Sequence, residues 1–267
     1  MTAGSSSSAA PPAGDAPAAP PSPRRITAEV LIVLGLSLGQ SGVYAAMSLA
    51  DKLTRGPLAG QTTTLNPVLN EREYFDLAYQ LLDIGFALMP VALVLFLLSG
   101  TGVSAVRQLG LTFDQPLRTI GAGVGLAAII AVGTIGVYTG GRALGITTAL
   151  VPAALDDYWW TVPVLVLSAL RHAVLEEVIV VGYLFIRLRH LGWSTPAIII
   201  TSALLRGSYH LYQGFGPFIG NVLMGLLFAW FYARTRRVMP LVIAHALIDI
   251  TGFVGYALLG PVLDLGT

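Results

Sequence analysis

The sequence predicts an all-α fold, a polytopic transmembrane bundle of about seven to eight helices with its N-terminus in the cytoplasm. Three observations predict it. Of 267 residues, 55% are hydrophobic and only 11% charged, with a mean hydropathy of +0.74; a soluble domain carries about 25% charged residues. Apolar runs recur along the chain, most of them near the roughly 20 residues a helix needs to cross about 30 Å of hydrocarbon. Arginines gather in alternate connections, as the positive-inside rule requires. A net charge of +1 gives no footing for nucleic acid. The sequence has no Cys, which removes disulfides, thiolate metal ligands and cysteine nucleophiles together.

Residues 1–25 are mostly Ala, Ser, Pro and Gly, too poor in large apolar side chains to pack, and read as a disordered tail. Residues 26–267 read as the transmembrane domain. The tail lacks the basic start of a secretory signal, and Arg24 and Arg25 anchor the first span. Spans are expected at about 27–50, 73–98, 119–139, 159–186, 195–212, 215–233 and 239–259. The fourth is long enough to break or tilt near Gly182, the fifth and sixth are short, and a further short helix fits within 99–118 or near 150–157. This threading puts Arg24, Arg25, Arg107, Arg118, Arg187, Arg189, Arg234, Arg236 and Arg237 inside, and Lys52, Arg55, Arg72 and Arg142 outside. Gly35 with Gly39, and Gly121 with Gly125, are small-xxx-small pairs suited to close helix approach. Tyr158, Trp159 and Trp160 read as an interfacial belt at the outer end of the fourth span. His190 reads as a solvated member of a basic loop.

The chemistry lies in polar groups that hydrocarbon does not tolerate. The run Arg171 to Tyr183, RHAVLEEVIVVGY, places His172, Glu176 and Glu177 in an apolar stretch. A charged side chain at bilayer depth costs at least about 2.5–3.5 kcal/mol, so partners are expected. The candidates are Arg206 and His210 in RGSYHLYQG, and His245 and Asp249 in IAHALID. His172 with Glu176, Arg206 with His210, and His245 with Asp249 are each four residues apart, so each pair shares one helix face. Three such faces on three helices imply one shared interior site. Arg171 reads as an ion-pair partner or a snorkelling residue.

Two hydrolytic arrangements are open. In one, Glu176, His210 and His245, with His172 as a further candidate, ligate a divalent metal such as Zn2+ that acidifies a bound water. In the other no metal is needed. Glu176 takes a proton from water, His210 positions it, and His245 with Asp249 holds the substrate carbonyl or the developing oxyanion. Asp249 can only accept unless protonated, which suits it to orienting a ligand. The competing readings are that each residue merely bridges two helices, or that Glu176 and Glu177 carry protons in a transporter. A transporter of repeat architecture would echo its polar residues in both halves, whereas here they crowd into the second.

In these motifs the chain resembles the CPBP family of intramembrane proteases, which includes the CAAX prenyl endopeptidases and the bacterial Abi-type proteins. The family pattern is Glu-Glu-x-x-x-Arg, Phe-x-x-x-His and His-x-x-x-Asn or Asp on successive helices. Glu176-Glu177, His210, and His245 with Asp249 match it in order, within a core of about 159–260. The resemblance implies an intramembrane (metallo)endopeptidase in contact with lipid, cleaving a membrane-associated peptide or protein, in a bacterial plasma membrane. It makes Glu176 the water-activating residue, His210 its partner, and His245 and Asp249 oxyanion or ligand helpers, with Glu177 beside them. Metal-dependent and metal-independent mechanisms are both consistent with it. The alternative is a catalytically silent scaffold or bacteriocin-immunity protein.

Two positions depart from the pattern: Val181 stands where Arg is expected, and Arg206 where Phe is expected. Their co-occurrence suggests that Arg206 supplies, from a neighbouring helix, the charge Val181 lacks. On straight helices rising about 1.5 Å per residue, His245 lies toward the cytoplasmic side and His210 toward the outer side. A common site, expected to open to the cytoplasmic leaflet, therefore needs a tilted or broken helix. Gly207 and the QGFG turn at 213–216 mark where the break would fall.

Overall fold

The expected first span is two helices. In the computed structural model, which describes residues 21–99 and 103–263 (the side chains of 261–263 excepted), α1 (Pro23–Gly35) and α2 (Leu38–Arg55) meet at 49°. Ser22 caps α1, its side chain accepting from the Arg25 N–H, and Pro23 occupies the first helical position, where its missing N–H costs nothing. The helix thus reaches into the stretch read as a tail, whose residues 1–20 lie outside the described residues. The bend falls at Ser37 (φ −145°, ψ −128°), whose hydroxyl donates back to the Val33 carbonyl at 2.6 Å.

Beyond α2 come α3 (Glu73–Ala87) and α4 (Met89–Ser99), which break at Leu88, where Pro90 cannot donate to the preceding turn. The short helix expected in 99–118 is α5 (Ala105–Leu109), followed by α6 (Pro116–Ala143). The fourth span is α7 (Thr161–Glu176), a π-helical segment Glu177–Tyr183, and α8 (Leu184–His190). Then come α9 (Thr195–Ser208), a 3-10 turn Leu211–Gln213, α10 (Phe215–Thr235) and α11 (Met239–Leu263).

Among the described residues four helices are long and apolar enough to cross a membrane: Glu73–Ser99, Pro116–Ala143, Phe215–Thr235 and Met239–Gly260. The bent α1–α2 pair makes a fifth if counted as one span. The other two expected spans fall short for physical reasons. The α7–α8 rod holds Arg171, Glu176, Glu177, Arg187 and Arg189, and α9 has only 14 residues.

The fold is nearly, not wholly, α. Strand β1 (Thr62–Thr64) in the α2–α3 connection pairs in parallel with β2 (Ala149–Val151) in the α6–α7 connection, Thr63 opposite Leu150. A bridge between Pro67 and Ala154 extends the contact. Threonine favours the pleated conformation, and two adjacent connections supply edges to each other. The sheet also grips the 3-10 turn. The Thr148 N–H and hydroxyl both donate to the Gln213 carbonyl, and Lys52 on α2 donates to the Tyr212 carbonyl at 2.7 Å and to the Thr63 hydroxyl.

Several expectations about packing are corrected. Nothing lies within 4 Å of a Cβ placed at Gly35, Gly121 or Gly125, and at Gly39 such an atom meets only Leu34. The close approaches are elsewhere: Gly225 on α10 against Ala203 on α9, Gly207 against Val222 and Phe218, and Gly123 on α6 against Ile243 on α11. Trp159 is 74% exposed, as a belt residue would be, but Trp160 is 1% exposed and stacks on Tyr158 beneath the connection. Arg187 is not a loop cation. It is buried, pairing with Glu29 of α1 at 2.7 Å and donating to the Leu97 carbonyl. His190 is exposed, as expected.

A Cβ at Gly225 would stand 2.8 Å from the Ala203 Cα, a backbone atom that cannot move aside. Gly225→Ala is therefore expected to lower stability by roughly 1–3 kcal/mol. Gly121→Ala, facing open space, should be neutral or stabilising by up to about 1 kcal/mol. Thermal unfolding in detergent, read by helical circular dichroism, separates the two.

Candidate active site

The site begins where the fourth span stops being an α-helix. Val178, Ile179, Val180 and Val181 form a run of β-branched residues, which crowd the preceding helical turn. Gly182 admits neighbours that a side chain would exclude, since a Cβ there would lie 2.7 Å from Leu109 Cδ2 and 3.0 Å from Val238 Cγ2. All seven residues of the π segment are buried, and the Ser202 hydroxyl donates to the Val180 carbonyl at 2.7 Å. Such wide turns recur at functional sites because they re-aim side chains. Here the transition falls between Glu176 and Glu177.

Both carboxylates meet one guanidinium. Arg206, fully buried on α9, donates from Nη1 to Glu176 Oε2 at 3.1 Å and from Nη2 to Glu177 Oε1 at 2.5 Å. The Tyr209 hydroxyl donates to Glu176 Oε2 at 2.8 Å, and His245 Nδ1 lies 2.7 Å from Glu177 Oε1. On its other side His245 Nε2 lies 3.5 Å from Asp249 Oδ2, which is 3.8 Å from His172 Nδ1. His172 in turn touches Arg171, whose Nη1 pairs with Asp83 of α3 at 2.7 Å. A chain of charged and polar groups therefore runs from Glu176 through Arg206, Glu177, His245, Asp249, His172 and Arg171 to Asp83.

Above this chain lies a cavity of about 920 Å³, lined by Glu176, His172, His210, His245, Asp249 and Arg171, with Tyr209, Tyr212 and Gln213. Glu177 does not line it. That residue is 0% exposed and acts from behind, through Arg206 and His245. Glu176 Oε2 is occupied by Arg206 and Tyr209, which leaves Oε1 for the cavity. His210 lies past the end of α9, just before the 3-10 turn, so the helix is broken where a common site required it. Gln213 Nε2 donates to the Tyr212 hydroxyl at 2.8 Å and contacts His210 Nδ1 at 3.3 Å. An amide nitrogen can only donate, so in this arrangement His210 Nδ1 accepts and its proton resides on Nε2. That Nε2 is buried and has no protein partner among the described residues.

Residues 158–251 match the family model of the type II CAAX prenyl endopeptidase Rce1-like proteins. This stretch is an Rce1-like domain. The CPBP resemblance read from three short motifs is thereby borne out. Neither a curated protein nor a solved structure matches the chain.

All of the expected site residues fall within the Rce1-like domain, and Glu176, His172, His210, His245 and Asp249 reach the one cavity. Two expected pairings are replaced. His172 meets Asp249, not Glu176, and Arg206 meets the two glutamates in place of His210, from the neighbouring helix that the Val181 departure suggested. Arg171 is an ion-pair partner, as one of its two readings held. Sequence reasoning missed Tyr209 and Gln213, although a hydroxyl and an amide flanking His210 in an apolar stretch were visible signals. It also missed Asp83, whose partner lies 88 residues away. The cavity lining includes Leu65 and Pro152 from the two strand-bearing connections, and none of the described residues of 99–118, 184–195 or 234–242.

Among the described residues, the groups whose ligand atoms gather within 4.8 Å are Glu176, Glu177 and His245, so Glu177 stands where His210 was expected in the metal set. Arg206 lies across both carboxylates and His245 Nδ1 is engaged by Glu177, so the positive charge this donor set calls for is already present. As arranged, these residues do not fit a bound divalent cation.

Removing the guanidinium would leave two adjacent buried carboxylates without a counter-charge. Arg206→Leu is expected to destabilise the Rce1-like domain by roughly 3–5 kcal/mol, and adding Glu177→Gln should recover part of that. A double-mutant cycle on thermal unfolding checks the coupling.

Proposed function

We propose that this integral membrane protein is an intramembrane endopeptidase that hydrolyses peptide bonds of a membrane-associated peptide or protein with a glutamate-activated water and no metal. In this reading Glu176 Oε1 takes a proton from water as the water oxygen attacks the scissile carbonyl. His210 Nε2–H donates to the attacking water or to the oxygen that becomes negative, and His245, held by Asp249, faces the same charge. The proton held by Glu176 then passes to the leaving amine as the C–N bond breaks, which restores the carboxylate. Glu177 and Arg206 do not touch substrate; they fix Glu176 and His245. The Rce1-like match supports the protease class. The mechanism rests on one observation: Glu176, His210 and His245, from three separate helical elements, line a single cavity, and neither Glu176 Oε1 nor His210 Nε2 has a protein partner among the described residues.

The same reading has α7–α8 and α9 cross the membrane despite their charge and length, their polar groups being paired inside the bundle. With α1–α2, α3–α4, α6, α10 and α11 that makes seven crossings. The basic residues Arg107, Arg118, Arg189, Arg234 and Arg237 then share the cytoplasmic side with the N-terminus, in a bacterial plasma membrane as the sequence resemblance implies.

Cleavage of a quenched peptide panel by the purified protein tests this. Glu176→Ala is expected to lower the rate by about 10²–10⁴-fold, and His210→Ala and His245→Ala by about 10²–10³-fold each. Cleavage that survives Glu176→Ala would remove Glu176 as the water-activating residue, and no cleavage above background by the parent protein would sink the hydrolase and leave a scaffold.

Prolonged dialysis against a chelator should leave the rate unchanged, with no stoichiometric metal by elemental analysis. Loss on chelation and recovery with Zn2+ would return the metal mechanism. Arg206→Phe should abolish cleavage, and Val181→Arg added to it should restore a measurable part.

A further inference from the structure

A hydrolase set among hydrocarbon needs a supply of water, and the face of α2 turned toward Tyr209 and Tyr212 has the properties of one. A groove of about 470 Å³ is lined there by Gln40, Ser41, Tyr44, Ser48, Tyr209 and Tyr212, with Ala45 as the one aliphatic residue. Four of these, Gln40, Ser41, Tyr209 and Tyr212, also line the cavity that holds Glu176 and His210, so groove and site share a wall.

At about 100° per residue, Gln40, Ser41, Tyr44, Ser48 and Lys52 fall within an arc of roughly 120° on α2. Outside that arc the exposed residues between 43 and 53, Val43, Ala46, Met47, Ala50 and Leu53, are apolar. Neighbouring residues on the two faces are equally uncovered, Tyr44 at 69% and Val43 at 66%, while Ser48 and Lys52 are half-buried. Tyr44 and Val43 thus differ in chemistry, not in exposure. Ser41 donates only to its own helix, at 3.4 Å, and Gln40, Tyr44 and Ser48 make no side-chain hydrogen bond among the described residues. An exposed amide with no partner is costly against acyl chains and costs nothing against water. At its shallow end the arc meets the exposed Asp51–Arg55 ion pair and a second hollow bordered by Lys52, Arg55 and Gln61. That is the end of the molecule carrying the β sheet, on which the site cavity also borders.

We propose that this polar face of α2 is a hydrated groove that conducts water from the sheet end of the protein to Glu176, separate from the path by which a membrane substrate reaches the cavity. Its purpose rests on the hydrolase reading above; its geometry does not. The groove lies outside the Rce1-like domain on one wall and within it on the other.

The cysteine-free sequence allows a direct test. Single variants Ser41→Cys, Ser48→Cys, Val43→Cys and Ala50→Cys are made in the full chain, with Thr54→Cys as the aqueous reference. Each is treated in membranes with a charged, membrane-impermeant maleimide. The thiolate that reacts forms in water and not in hydrocarbon, so Ser41→Cys and Ser48→Cys should label on the order of tenfold faster than Val43→Cys and Ala50→Cys. Ala50 is nearer the shallow end than Ser48, so depth alone would give the opposite order for that pair. Equal labelling on both arcs, or labelling of Thr54→Cys alone, overturns the proposal.

Ser48→Trp should fill the groove and lower kcat with KM unchanged; an unchanged kcat in the folded variant also overturns it. Should Ser48→Trp not fold, the cysteine series still decides. Peptide cleavage without preferential labelling removes the groove and keeps the hydrolase, whereas preferential labelling without Glu176-dependent cleavage removes the hydrolase and keeps a hydrated face.

Discussion

The structure turns on one guanidinium. Arg206 reaches two adjacent carboxylates from a neighbouring helix, with no exposed surface of its own. Two buried glutamates side by side would repel each other and lack solvation; a single fork-shaped cation answers both, because its donors are spaced to meet two acceptors at once. The surrounding fold serves that contact. The π segment begins between Glu176 and Glu177. Gly225 lets α10 close on α9 beside the Arg206 stem, since a Cβ there would stand 3.3 Å from Arg206 Cδ. Phe228 offers its ring 5.4 Å from the guanidinium carbon.

A second constraint sets the position of His210. Its segment is neither α9 nor α10, and an irregular turn inside a membrane protein must satisfy its own backbone. The small parallel sheet does part of this work. Thr148 covers the Gln213 carbonyl, Lys52 covers the Tyr212 carbonyl, and a bridge joins Thr147 to Gly214. Gly214 adopts φ +107°, and a Cβ there would press on the Ile146 carbonyl at 2.6 Å, so this position admits little but glycine. The two loops that carry the strands thus hold, at a distance, the imidazole that shares the cavity with Glu176.

Much of this was legible in the sequence because a charge in an apolar run must have a partner. That rule found Glu176, Glu177, Arg206, His245 and Asp249, and the ordered motifs found the family. Only the departures at Val181 and Arg206 suggested a partner on another helix; the rule itself assigned none. The i,i+4 spacing pairs His172 with Glu176, but helix spacing describes one helix, whereas the contacts that form here, Arg206 with Glu177 and Arg171 with Asp83, cross between helices. Glycine spacing misled for a related reason. Gly121 and Gly125 share a face, yet which face of α6 meets a neighbour depends on the whole bundle, and it is Gly123 that packs on Ile243. The β strands escaped notice because three residues are too few for a period. Arg187 was assigned to a loop because hydropathy cannot see that Glu29, more than 150 residues earlier, lies beside it.

The two departures from the family pattern are then one change. An arginine on the same helix as the glutamates would meet them along that helix's own axis. An arginine on α9 ties the glutamate helix to the segment that ends in Tyr209 and His210, so the group fixing Glu176 lies on the same stretch of chain as two further residues lining the cavity. In this arrangement Val181 is free to pack in the apolar core, where it is 1% exposed. The positive charge comes from a helix other than the one that carries the glutamates, and it joins the two.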